Sequence, residues 1–286
     1  MADFYSDIAR IMTADPGGRG LIGGLPQTDL VSLTRSITSG SRFLILTGFP
    51  IPDCGVGETD GPPGAANLAR ALVMAHKRVT VVTDDYNLAP VRAAVELFAP
   101  GADVVSVPME GAEDFCRRLR VRENPTHIIA IERPGGHDGH YYNMHGRLID
   151  AYVAPTDSLF AGFGGVTIGI GDGGNELGMG SFSAQIARLV PNGAEIAADY
   201  GANFPLVAGV SNWWGWGIAA LLSEAYKQDM LPSDAAETAL LQAVIDAGAV
   251  DGMLHERALS VDGLGLEENL QVLRELRRAV LHRITR

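Results

Sequence analysis

The sequence predicts an α/β fold, a mostly parallel sheet flanked by helices, with a helical C-terminal tail. Short apolar runs rich in Val and Ile recur without alternation, the pattern of strands buried on both faces. Helical segments separate these runs, as the crossovers of a parallel sheet require. Beyond residue 213 only helical segments remain. The chain reads as a single domain over 1–286, with a helical lead to about residue 40 and a helical tail from about 213.

In chain order, residues up to about 38 read as helical pieces broken by Gly17-Gly18-Arg19-Gly20 and Gly23-Gly24. Strands are predicted over 42–47, 78–83, 102–107, 127–131, 166–170 and 206–210. A long loop rich in Gly and Pro occupies 48–64, and the next helix spans 63–77 with proline in its first turn, where helix starts favour it. Further helices are expected over 88–98, 112–120, 213–227, 233–247 and 266–284.

Composition narrows the function. With 47% hydrophobic residues the chain can bury a sizeable core, which excludes disorder. A net charge of −12 argues against nucleic acid, which needs clustered Lys and Arg. No uninterrupted apolar stretch is long enough to span a bilayer, so no membrane partner is expected. The start, Met1-Ala2-Asp3-Phe4-Tyr5-Ser6-Asp7, lacks the pattern of a signal peptide. The two cysteines, Cys54 and Cys116, suit a reducing compartment, and the expectation is a cytoplasmic protein. The apolar tail and Trp213-Trp214-Gly215-Trp216 hint at a homodimer.

The loops at the strand ends point to chemistry. After the first strand comes Thr47-Gly48-Phe49-Pro50 and then Glu58-Thr59-Asp60; after the second, Asp84-Asp85; after the fourth, Glu132-Arg133; after the fifth, Gly171-Asp172-Gly173-Gly174-Asn175-Glu176. Ligands of parallel α/β sheets bind beyond the carboxyl ends of the strands, so these acidic loops converge on one edge. Converging carboxylates need a cation among them, and oxygen donors suit Mg²⁺ or Mn²⁺ better than zinc. The bland alternative makes each acid a helix cap, the first choice for Asp84 and Asp85 and an even one for Asp60. Glycines in the fifth loop can also turn backbone N–H groups toward an anion. That loop is similar to the metal loop of haloacid-dehalogenase-type phosphatases, but their nucleophile motif is missing from the first strand end, which reads Thr47-Gly48-Phe49. The segment 135–146 holds three histidines, any of which can act as a base near neutral pH or simply be solvated.

Taken together, Thr47-Gly48-Phe49-Pro50, Glu58-Thr59-Asp60-Gly61-Pro62-Pro63-Gly64-Ala65, Ile131-Glu132-Arg133-Pro134-Gly135, Tyr142-Asn143-Met144 and the run from Ile168 through Gly171-Asp172-Gly173-Gly174-Asn175-Glu176 to Gly180 resemble the C-terminal domain of the D-glutamate cyclase family. The resemblance implies an α/β fold, conversion of D-glutamate to 5-oxo-D-proline with loss of water, and a divalent metal, Mg²⁺ or Mn²⁺. With the acidic loops, it assigns metal binding to Glu132, Asp172, Asn175 and Asp60. It assigns proton transfer to Glu176, Glu58 or His145, and contact with a small anionic substrate to Arg133, Thr47, Asn143, Ser211 and Asn212. Arg133 serves either as a bidentate grip on a carboxylate or as a salt-bridge partner. The competing expectations are a metal-dependent phosphoesterase or pyrophosphatase, and a metal- or metabolite-binding module without turnover.

Overall fold

A computed structural model describes residues 3–18 and 21–285. Six parallel strands form the central sheet: β1 (Arg42–Thr47), β2 (Arg78–Asp84), β3 (Asp103–Val107), β4 (His127–Ile131), β5 (Val166–Gly171) and β6 (Phe204–Val207). Their spatial order is β3-β2-β1-β4-β5-β6, so the winding reverses between β1 and β4. In such sheets that reversal opens a crevice at the carboxyl ends of the two strands, where ligands bind.

Alternation along each strand feeds two cores. On β1, Phe43 and Ile45 face the larger one while Leu44 and Leu46 face the smaller. On β4, Ile129 and Ile131 share the first, and Ile128 and Ala130 the second. Both faces are therefore apolar, which is why the strands lack a polar–apolar rhythm. The larger core is covered by α1 (Phe4–Met12), α2 (Leu30–Ser39), α3 (Pro62–Met74), α4 (Leu88–Phe98), α8 (Trp213–Tyr226), α9 (Asp234–Asp246) and α10 (Leu266–Ile284). The smaller is covered by α5 (Ala112–Glu123), through Cys116 and Leu119, and by Leu159 and Phe160. Between β5 and β6, the short α6 (Ser183–Leu189) and α7 (Gly193–Ile196) pack on Met179 and Phe182.

The sequence places β1, β4, α4 and α10 at their observed bounds. The last strand is displaced: β6 starts at Phe204, not 206, and ends at Val207, with Ala208 N making a final bond to Gly171 O. Pro205 cannot donate to a ladder and fits only an edge strand, which β6 is. The predicted helical lead is two helices, with a 3₁₀ turn (Ile22–Gly24) across one glycine pair. Arg19 and Gly20, part of the other predicted break, lie outside the described residues. Among the described residues no helix is long and apolar enough to cross a membrane.

Candidate active site

Three strand ends and one distant hairpin build the site. At the end of β4 the backbone of Glu132 turns into the left-handed region, with φ of 43°. That conformation is costly for a residue with a Cβ and is retained where it positions a side chain. Glu132 O accepts from Gly48 N at 3.0 Å, tying the ends of β4 and β1 together. Gly61 lies in the same corner: a Cβ there would sit 2.7 Å from Thr47 Oγ1 and 3.1 Å from Glu132 Cβ.

Asp60 and Asn212 exchange caps across this corner. Asp60 Oδ1 accepts from Asn212 N at 2.8 Å, and Oδ2 accepts from Ser211 N at 2.9 Å, closing the start of α8. Asn212 Oδ1 accepts from Gly61 N at 2.9 Å and Gly64 N at 2.7 Å, closing the start of α3. Pro62 and Pro63 supply no N–H, so α3 takes its cap from the other helix. Asp60 is thus a cap, though of α8 and not of the helix that follows it.

The glycine-rich loop after β5 wraps its own anion. Glu176 accepts from Asp172 N at 3.1 Å, Gly173 N at 2.7 Å and Gly174 N at 2.7 Å. These are the N–H groups that the sequence offered to a bound anion, so that expectation is corrected. Glu176 is correspondingly engaged in shaping the loop, which counts against it as the proton carrier. Its bonds fix the placement of Asp172. Asp60, Asp172 and Asp262 each offer a carboxylate oxygen, all within 4.8 Å of one another, and Glu132, Asp172 and Glu176 form a second such group.

Electrostatics at this edge are severe. Burial, then the nearby Asp262 carboxylate, holds Asp60 well above the usual carboxylate range. Glu132 is raised in the same way by burial and then by Glu176, Asp60, Glu58 and Asp262. Glu132 is only 6% exposed, and its Oε2 has no hydrogen-bond partner. The buried hydroxyls of Thr47 and Ser211 lack partners as well. Clustered carboxylates with such unengaged oxygens form an all-oxygen donor set that fits a hard divalent cation.

A profile of the family described as "D-glutamate cyclase-like, C-terminal" matches residues 8–277. The chain belongs to this family. It is also 33% identical to the human mitochondrial D-glutamate cyclase over 302 aligned positions, which cover 91% of this chain and 48% of that protein. The chain therefore spans about half the length of the curated relative it matches.

Other residues expected at the site of this D-glutamate cyclase-like chain lie in different settings. Arg133 is fully enclosed and pairs with Asp84 Oδ2 at 2.6 Å. Its other N–H groups donate to Gly48 O, Thr156 Oγ1 and Ala154 O. It is a salt-bridge partner that braces the strand ends, not a free grip for a carboxylate. Asn143 Oδ1 accepts from His145 N and Arg147 N, so it shapes its own turn, and His145 is exposed on that turn. Asn175 Nδ2 donates to Tyr142 O at 2.7 Å, fastening that turn over the glycine-rich loop. Glu58 is buried beside Gly252, where a Cβ would strike its carboxylate. Asp85 is exposed and accepts from Ser106 Oγ.

Asp262 is the residue that sequence reasoning missed. Two two-residue strands (Ser260–Val261 and Leu264–Gly265) flank Asp262-Gly263, with φ of 54° and 76°. Asp-Gly between apolar residues is a strong hairpin signal, and it was legible in the sequence.

Proposed function

We propose that this acidic edge cyclises D-glutamate to 5-oxo-D-proline, the α-amine attacking the γ-carboxyl group. The observation that carries the reading is the buried convergence of Asp60, Glu132 and Asp172 at the β1/β4 crevice, in a chain of the D-glutamate cyclase-like family. In the reaction one C–N bond forms and one C–O bond breaks. Two protons leave the ammonium nitrogen and both end on the departing oxygen, which leaves as water.

A divalent cation, Mg²⁺ or Mn²⁺, held by Asp60 and Asp172 would neutralise the γ-carboxylate and make its carbon electrophilic. Glu132 is the proton carrier of this reading. It stands beside Asp172, and its buried Oε2, which has no hydrogen-bond partner, is available to take a proton from nitrogen and pass it to oxygen. Thr47 and Ser211 supply the hydroxyls that fix the substrate. Burial excludes water, and folding the substrate back on itself makes the attack intramolecular.

The test is incubation of the metal-replete protein with D- and L-glutamate, reading 5-oxoproline by chiral chromatography beside a chelated control. Product from the D-isomer that disappears with chelator is the expected result. No product from saturating D-glutamate with either metal would overturn the proposal.

A further inference from the structure

The segment between α9 and α10 carries Asp262 to the acidic edge. It leaves α9 at Gly248, pairs with the body where Thr59 N donates to Val250 O and Val250 N to Gly57 O, and returns as the hairpin that bears Asp262. The hairpin root is anchored: Val261 and Leu264 sit in the larger core, and Thr59 Oγ1 donates to Ser260 O at 2.9 Å. Between these anchors the chain bonds mainly to itself. Asp251 N donates to Glu256 O, His255 N to Asp251 O, and Met253 N and Leu254 N to Asp251 Oδ1. The fully buried Asp251 carboxylate also accepts from Gly263 N, at 3.0 and 2.9 Å. One side chain therefore couples the outer loop, with its exposed Met253 and Leu254, to the hairpin tip.

Access and charge make this coupling consequential. Asp60 is 1% and Asp172 2% exposed, so a substrate the size of an amino acid reaches them only if a covering element moves. Of the three carboxylates within 4.8 Å, only Asp262 belongs to the 251–263 segment; the other two stand on the sheet edge. A cation among the three carboxylates would draw Asp262, and the segment that bears it, toward the sheet edge. Glu132 shares Asp172 with this trio through the neighbouring Glu132–Asp172–Glu176 group, and its buried Oε2, which has no partner, independently points to a ligand there.

We infer that a divalent cation bound jointly by Asp60, Asp172 and Asp262 latches residues 251–263 onto the sheet edge, making this segment the gate of the acidic site. The inference rests on the cation of the proposed function, but its readout is the gate. Hydrogen exchange of the full chain with and without Mn²⁺ tests it, beside a Mn²⁺ titration followed by electron paramagnetic resonance. In the native sequence Mn²⁺ slows exchange of the Met253, Leu254, His255 and Gly263 amides by roughly tenfold or more. Asp262→Asn and Asp262→Gly, which both suit the positive φ, abolish that protection while sheet amides exchange as before. Mn²⁺ that binds but leaves the gate amides unchanged overturns the latch, and leaves the cyclase reading to its own turnover assay. Variants that keep the protection overturn it too. Absence of Mn²⁺ binding overturns latch and cation together. Should both variants unfold, the native chain with and without Mn²⁺ still decides.

Discussion

Glu237 offers the most quantitative test of this structure. It sits on α9, buried against α3 and α8, where its Oε2 accepts from Asn67 Nδ2 at 2.9 Å and Trp216 Nε1 at 3.2 Å. Burial raises its carboxyl from 4.5 to about 7, against the smaller pull of these two donors. The folded state thus binds a proton more tightly than the unfolded chain. The associated stability is fully present below pH 4.5, falls as pH rises, and is lost above about pH 7. At about 1.4 kcal/mol per tenfold change in proton affinity, the loss is about 3 kcal/mol. Glu237→Gln removes the titration and keeps an acceptor for both donors. Urea unfolding should give similar stabilities for the two proteins near pH 4.5, with the variant ahead by about 3 kcal/mol at pH 8. A constant difference across that range would refute the reasoning.

Ser211→Ala removes a buried hydroxyl that has no partner, so it should raise stability by about 1 kcal/mol while lowering turnover of D-glutamate; unchanged kinetics would remove Ser211 from the substrate contacts. Arg133→Met strands Asp84 in the interior and should cost about 3–5 kcal/mol in thermal or urea unfolding, much of it recovered by adding Asp84→Asn. At Gly215 an added Cβ would lie 2.8 Å from Gly64 Cα, so Gly215→Ala should force α3 and α8 apart and cost about 1–3 kcal/mol, read by the same unfolding assay. Asp172→Ala should weaken Mn²⁺ binding in an equilibrium titration by at least about tenfold, and unaltered affinity would dismiss the carboxylate group as a cation site.

The sheet was legible because burial on both faces leaves a local signature, runs such as Phe43-Leu44-Ile45-Leu46 closed by glycine. Residues 206–210 carry the same signature for another reason: Ala208 and Val210 are buried in the larger core beyond the end of β6, so composition alone set that strand too late. The short α6 and α7 have no side-chain cap bonds at their starts and were not foreseen. At the site, strand-end position identified Asp60, Glu132 and Asp172, since topology alone brings those ends together. Roles were less legible. Whether Arg133 grips a ligand or Asp84 depends on a partner 49 positions away, and whether Glu176 faces outward or its own loop depends on three backbone N–H groups.

The exchange of caps between Asp60 and Asn212 has a consequence for the order of folding. Its bonds join residues about 150 positions apart, from Gly61–Asn212 to Asp60–Asn212. Contacts of such separation form late, because the intervening chain must first be ordered. A nascent chain therefore completes β1 and α3 long before Asn212 emerges to close them. Until then Asp60 and Thr47 belong to an unfinished corner, which closes only when nearly three quarters of the chain has been made, and Asp262 joins the acidic edge later still.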